Sequence, residues 1–163
     1  MKLVDSSCLI CLFGEINKPF VLLDWKRNGH RIVITDQVND EIICGDCYNK
    51  IVSEIKNGNI EVEHLISSQE VDKLRYRYLR LGKGECSIIL AALKYNQKKE
   101  KYYAILDDKD ARKIAKEMGV NLTGTVGLLL KLKEKNCISE ETYTDCVTQM
   151  KNSKFRFNWE QLE

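Results

Sequence analysis

At 163 residues, with 44% hydrophobic and 31% charged content, the chain is long enough to bury one core without disulfide or metal staples, and a single domain over residues 1–163 is expected. Its 26 basic residues against 24 acidic leave a net charge of +2, so overall charge by itself implies no nucleic-acid partner. No apolar run approaches the ~20 residues of a membrane span and the seven cysteines cannot all pair internally, which points to a cytoplasmic protein carrying thiols, with no membrane partner.

In chain order, short strand signals alternate with longer helical ones. Residues 2–4 lead into Leu9, Ile10, Leu12, Phe13 and Ile16, an apolar set at helical spacing with Ser6 or Ser7 available as its cap. Pro19 opens a second helix over residues 20–26, ended by Asn28-Gly29, and the β-branched residues of 31–35 predict a strand. A helix is expected from about Gln37, carrying Val38, Ile42, Ile43, Cys47, Ile51 and Ile55 and stopping at Asn57-Gly58-Asn59. Residues 60–65 alternate as a third strand. Two helices follow, over residues 69–81 and from 85 to about 97, separated by Gly82-Lys83-Gly84. Residues 102–106 predict the fourth strand, 111–118 a short helix, 120–123 a brief strand, and 125–135 and 139–150 two more helices. Phe155-Arg156-Phe157 could add an edge strand. Strands alternating with helices in this way predict a three-layer α/β/α fold built on a mainly parallel, doubly wound sheet.

In such a sheet, ligands sit outside the carboxyl ends of the strands, where the strand order reverses. Asp5 follows the first strand, and Asp107 and Asp108 follow the fourth; if those strands are neighbours, their backbones run ~4.8 Å apart. Glu41 lies in the first turns of the helix leaving strand two. Glu85 opens the helix that returns the chain to strand four, which sets its N-terminus above the same edge. Helix capping or the helix dipole explains each acid taken alone. Neither explains acids from four segments sharing one edge. Carboxylates gathered so densely repel and take up protons unless a cation neutralises them, and an all-oxygen site suits Mg²⁺ or Mn²⁺. Metal-dependent chemistry on phosphates is therefore expected.

Five stretches carry a family resemblance: Val4-Asp5-Ser6-Ser7-Cys8-Leu9-Ile10, Val38-Asn39-Asp40-Glu41-Ile42, Gly84-Glu85-Cys86-Ser87-Ile88-Ile89-Leu90-Ala91-Ala92, Ile105-Leu106-Asp107-Asp108-Lys109-Asp110-Ala111-Arg112 and Thr123-Gly124-Thr125-Val126-Gly127. In order and spacing they resemble the PIN domain family of metal-dependent ribonucleases, which includes VapC-like toxins. The resemblance implies a Mg²⁺ or Mn²⁺ endoribonuclease that cuts single-stranded RNA. It assigns Asp5, Glu41, Glu85 and a fourth acid, Asp107 or Asp108, to holding one or two hydrated cations that orient a water and neutralise the scissile phosphate. It further implies a homodimer, and an antitoxin protein as partner if the chain is the toxin of a toxin–antitoxin pair.

Other constellations read less sharply. His30 in a turn and His64 late in a strand are expected to be structural or solvated. Cys8-Leu9-Ile10-Cys11 and Cys44-Gly45-Asp46-Cys47 have zinc-pair spacing, but both fall in expected helices with a strand between them, so buried thiols are the preferred reading. Lys73, Arg75, Arg77, Arg80 and Lys83 occur with no acid among them. Lys73, Arg77 and Arg80 would share one helical face, either solvated or holding RNA phosphates, with Tyr76 able to stack on a base. Two rival functions remain: a PIN-like module that binds nucleic acid or protein without cutting, and a phospho-acceptor receiver, which would want a lysine that residues 120–125 do not offer.

Overall fold

The computed structural model describes residues 1–43 and 47–159. Its centre is a five-stranded sheet, every pairing of which is parallel: β1 (Lys2–Val4), β2 (Ile32–Thr35), β3 (Glu61–Glu63), β4 (Tyr103–Ile105) and β5 (Leu122–Thr123), in the order β3-β2-β1-β4-β5. The inner strands read Lys-Leu-Val and Ile-Val-Ile-Thr without alternation, as strands covered on both faces must. The chain builds outward from β1 through β2 to β3, then crosses to β4 on the other side. The order therefore reverses between β1 and β4, which pair in the register Leu3↔Ala104 and Val4↔Ile105.

Helices cover both faces, giving the three-layer α/β/α arrangement expected. They are α1 (Ser6–Leu9), which runs on as a π-helical segment over Ile10–Glu15, then α2 (Phe20–Arg27), α3 (Asp36–Ile42), α4 (Tyr48–Lys56), α5 (Ser68–Arg77), α6 (Lys83–Gln97), α7 (Lys109–Glu117), α8 (Thr125–Glu134) and α9 (Glu140–Lys151). The longest of these, α6, buries Cys86, Ile88, Ile89, Ala91 and Ala92 and packs across β2, β1 and β4. Its start is fixed in depth by Ser87, whose hydroxyl donates to the Gly84 carbonyl at 2.6 Å and lies 2.5 Å from that of Thr35, the N-cap of α3. The heads of α3 and α6 are thus tied together at the carboxyl edge of the sheet.

Several element boundaries depart from the sequence expectation, and four of the differences bear on packing or the site. The helix expected without a break from Gln37 to Lys56 is two, α3 and α4; Ile43 is 47% exposed, so the apolar stripe does not carry through, and Cys44 lies outside the described residues. Strand β3 is shorter than 60–65 because Ile60 and Ile66 turn into the core at its two ends. Helix α5 ends at Arg77: Tyr78 leaves helical geometry (φ −130°, ψ 79°), which lets Leu81 drop into the core before α6 begins. Arg80 therefore does not share a helical face with Lys73 and Arg77. Phe155-Arg156-Phe157 joins no strand; its rings pack against the hydrophobic core. Among the described residues, no single helix is long and apolar enough to cross a membrane.

Candidate metal centre

Adjacent parallel strands deliver the first and fourth acids to the switch point. The Asp5 amide donates to the Ile105 carbonyl, so Asp5 continues β1 alongside β4, and Asp107 follows two residues after β4 ends. Asp5 stands at the N-cap position of α1 with extended geometry, yet its side chain makes no capping hydrogen bond. It is 3% exposed. One oxygen, Oδ2, accepts from the Ser7 hydroxyl at 2.9 Å; the other, Oδ1, is buried with no partner. An unsatisfied buried carboxylate oxygen is costly, so the position is not explained by helix capping.

Glu41 and Glu85 come from the tied heads of α3 and α6. Glu41 Oε1 accepts from the Gly84 amide at 2.7 Å and Oε2 from the Ser6 hydroxyl at 2.7 Å, so one carboxylate links α1, α3 and α6. Glycine at 84 lets the Glu41 carboxylate sit against the α6 backbone, since a Cβ would fall 2.8 Å from the Glu41 carboxyl carbon. Glu85 is the N3 residue of α6, and its Oε2 accepts from the Gly82 amide at 2.7 Å.

The two candidates for the fourth acid are used differently. Asp108 is the N-cap of α7, with Oδ1 accepting from the Ala111 amide at 2.8 Å. Asp107 instead accepts twice from Thr125 at the start of α8, its amide at 2.7 Å and its hydroxyl at 2.5 Å. A Cβ on Gly124 would sit 2.9 Å from Asp107 Oδ1 and 2.6 Å from Arg112 Nη1, so this glycine leaves the space the carboxylate occupies.

The electrostatics show that these acids share a neighbourhood. Burial pushes the Asp5 carboxyl up to about 7, and the charges of Glu85 and Glu41 add to the effect against the Ser7 hydrogen bond. Burial likewise raises Glu85, opposed by the Gly82 amide and reinforced by Asp108, Glu41 and Asp110. Asp107 is raised by burial, with Thr125, Arg112 and Ser7 pulling the other way. Ser7, Glu85, Asp107 and Asp108 open together into one cavity of about 1050 Å³.

Among the described residues, no three carboxylate, imidazole or thiol groups are placed to hold an ion together. The carboxylates are engaged by hydroxyl and amide donors from Ser6, Ser7, Gly82, Gly84 and Thr125. Sequence reading missed these donors: Ser6 and Ser7 were visible only as caps, and Thr125 only as a residue beside a glycine. The chemistry of the set still suits a hard divalent cation, since every candidate ligand is a carboxylate oxygen and one of them is buried and bare.

The histidines lie elsewhere: His30 packs edge-on to Trp25, and exposed His64 bonds Asp36 at 2.7 Å. Cys8 and Cys11 are buried within one helical stretch and burial pushes both thiols up, as expected for inert side chains and not for zinc ligands.

A family model described as "DUF3368: PIN domain" matches residues 1–163. The chain belongs to the PIN domain family. PIN domains are generally nucleases and typically use divalent metals, and the fold is the one the family resemblance implied. Neither the comparison with curated proteins nor that with solved structures gave a match.

Proposed function

We propose that this PIN domain is a Mg²⁺- or Mn²⁺-dependent endoribonuclease that hydrolyses single-stranded RNA, with Asp5, Glu41, Glu85 and Asp107 as the residues that hold the metal and Asp108 as the cap that positions Asp107. The observation that carries this reading is Asp5: a carboxylate fully buried at the switch point, with a bare oxygen and two further acids close enough to raise its affinity for positive charge. When bound, a divalent ion would supply the charge that neutralises the scissile phosphate.

The chain's own groups perform the rest. Ser7 and Thr125 orient Asp5 and Asp107 by donating to one face of each carboxylate, leaving the other lone pairs for the ion. Asp5, taken up to about 7, would hold a proton in place of an ion below about pH 7. Glu41 accepts one hydrogen bond at each oxygen, as Asp107 does, and would offer the ion a remaining lone pair. With no histidine present among the described residues of the site, the attacking water needs no imidazole base. The product is the phosphodiester cut by addition of water across the P–O bond.

A cytoplasmic homodimer acting as the toxin of a toxin–antitoxin pair, with an antitoxin protein as partner, is the finer form of this proposal and follows from the family alone. The engagement of every carboxylate by protein donors favours one rival, a PIN domain that binds without cutting. Titration calorimetry with Mn²⁺ separates the two, since the binder gives no heat. Asp5→Asn or Glu85→Gln should abolish chelator-sensitive RNA cleavage while the circular dichroism spectrum is kept; full activity in both variants would refute the site.

A further inference from the structure

Beside Glu15, Glu85, Asp107 and Asp108, the 1050 Å³ cavity is lined by six cationic side chains. One wall is α7. Lys109, Arg112, Lys113 and Lys116 follow one another at the i, i+3, i+4, i+7 spacing of a single helical face, and all four line the cavity. A second wall is residues 154–158, outside any helix or strand, in which exposed Lys154 and Arg156 alternate with half-buried Phe155 and Phe157.

This second wall is a built feature. Phe157 and Trp159 lie with ring centroids 4.9 Å apart and both pack against the core. Ser153 donates to Glu15 at 2.7 Å and accepts from the Phe155 amide at 3.0 Å, which fixes where the stretch leaves α9. The aromatic anchors hold the backbone, and Lys154 and Arg156 between them stay exposed. Arg112 is committed to the Leu106 carbonyl at 3.0 Å. Lys109, Lys113, Lys116, Lys154 and Arg156, by contrast, form no ion pair among the described residues. Five uncommitted cations on two walls of a cleft that also holds carboxylates suit a chain of phosphates, one of which reaches the acids.

We infer that α7 and residues 154–158 are the two jaws of a phosphate clamp that seats a single RNA strand across Glu85 and Asp107 in the cleft. The inference rests on the nuclease reading for the identity of the strand. It displaces the basic stretch around α5, suggested by sequence alone, from that role: none of Lys73, Arg75, Arg77 or Arg80 lines the cavity, and Arg80 is 3.4 Å from Asp110. The clamp also explains how a protein with a net charge of only +2 can hold nucleic acid, because the charge is concentrated locally.

The test measures binding of a labelled single-stranded oligouridylate to the full chain in chelator, where metal-dependent cleavage is silent, over a series of salt concentrations. Lys154→Glu with Arg156→Glu, and separately Lys113→Glu with Lys116→Glu, should each weaken binding at least ~10-fold and lower the salt slope by about 1.4, the share of two phosphate contacts on a single strand. Lys73→Glu with Arg77→Glu should change neither. These side chains are exposed, and neutral Gln versions with an intermediate loss guard against a folding artefact. Unchanged affinity in either jaw variant overturns the clamp, as does tight binding of polyglutamate with no binding of the oligonucleotide, which would assign the cleft to an acidic protein. If Asp5→Asn abolishes cleavage while jaw variants bind RNA normally, the clamp alone has failed. If jaw variants lose RNA while cleavage ignores Asp5, the nuclease reading alone has failed.

Discussion

Thr125 donates two hydrogen bonds to Asp107, from its amide and its hydroxyl, so the first turn of α8 holds a carboxylate that belongs to the end of β4. The pairing couples β5 and α8 to the acidic edge although neither contributes an acid of its own. Thr125→Val keeps the amide bond and removes the hydroxyl donor. We expect Mn²⁺ affinity measured by calorimetry to fall by about 10- to 100-fold, as for other partners of metal ligands, with at most ~1 kcal/mol of stability lost. An unaltered Mn²⁺ titration would show that Asp107 does not depend on this support.

Gly84 stands against the Glu41 carboxylate closely enough that a methyl group has no room. Gly84→Ala should swing Glu41 off both the Gly84 amide and the Ser6 hydroxyl, at the ~1–3 kcal/mol of two lost hydrogen bonds. Since the clash is with one side chain, Glu41→Ala should remove most of it. A double-mutant cycle on urea denaturation should therefore give a coupling of at least ~1 kcal/mol; additive effects would mean that the backbone, and not Glu41, dictates glycine here.

The thiols offer a check on the zinc alternative. Cys8, Cys11, Cys86 and Cys146 are buried, and burial raises each, Cys86 to about 12, where nearby Glu85 adds to the effect. Cys137 is exposed. Brief treatment of the native protein with iodoacetamide at neutral pH, followed by peptide mapping, should label Cys137 and spare those four. Rapid labelling of Cys8 or Cys11, prevented by added zinc, would revive the metal-pair reading.

The doubly wound parallel sheet was legible because each strand is a short apolar run closed by turn residues and followed by a helix; that the strands before Asp5 and Asp107 are neighbours was only a condition of that reading until the structure paired β1 with β4. What the sequence did not disclose are the groups that hold the acids. Ser6, Ser7 and Thr125 are polar residues near helix starts, a position where local capping is the ordinary explanation, and only three-dimensional placement shows that Ser6 reaches Glu41 from α1. Arg80 was assigned to a helical face because periodicity continues past Arg77; the helix stops there because Leu81 is needed in the core. The basic face of α7 was readable from its spacing, but nothing local distinguishes it from a solvated face. Its role depends on residues 154–158, beyond α8 and α9 in the chain, lining the same cavity.

At the far end of the sheet, Lys2 supplies a test of how the fold bears a buried cation. It is 5% exposed, with its ammonium 3.9 Å from the Trp25 ring centroid of α2 and 4.7 Å from that of Tyr103 of β4. Lys131 and Lys135 close over the same two rings from α8 and its C-cap, and His30, Arg31, Glu100 and the amino terminus lie around them. Burial, then Lys131 and Lys135, lowers the Lys2 pKa from 10.5 to about 8. The unfolded chain therefore binds more protons than the folded one between pH 8 and 10.5, and this group makes stability rise with pH through that window. The penalty on the charged form, on the order of 3 kcal/mol, exceeds the ~0.5–2 kcal/mol that cation–π contacts return. Lys2→Met should be the more stable protein at pH 7 in urea denaturation, and the gap to the parent should close as the pH approaches 10.5. A gap that stays constant across that range would show that the rings and surrounding water carry the charge at no cost.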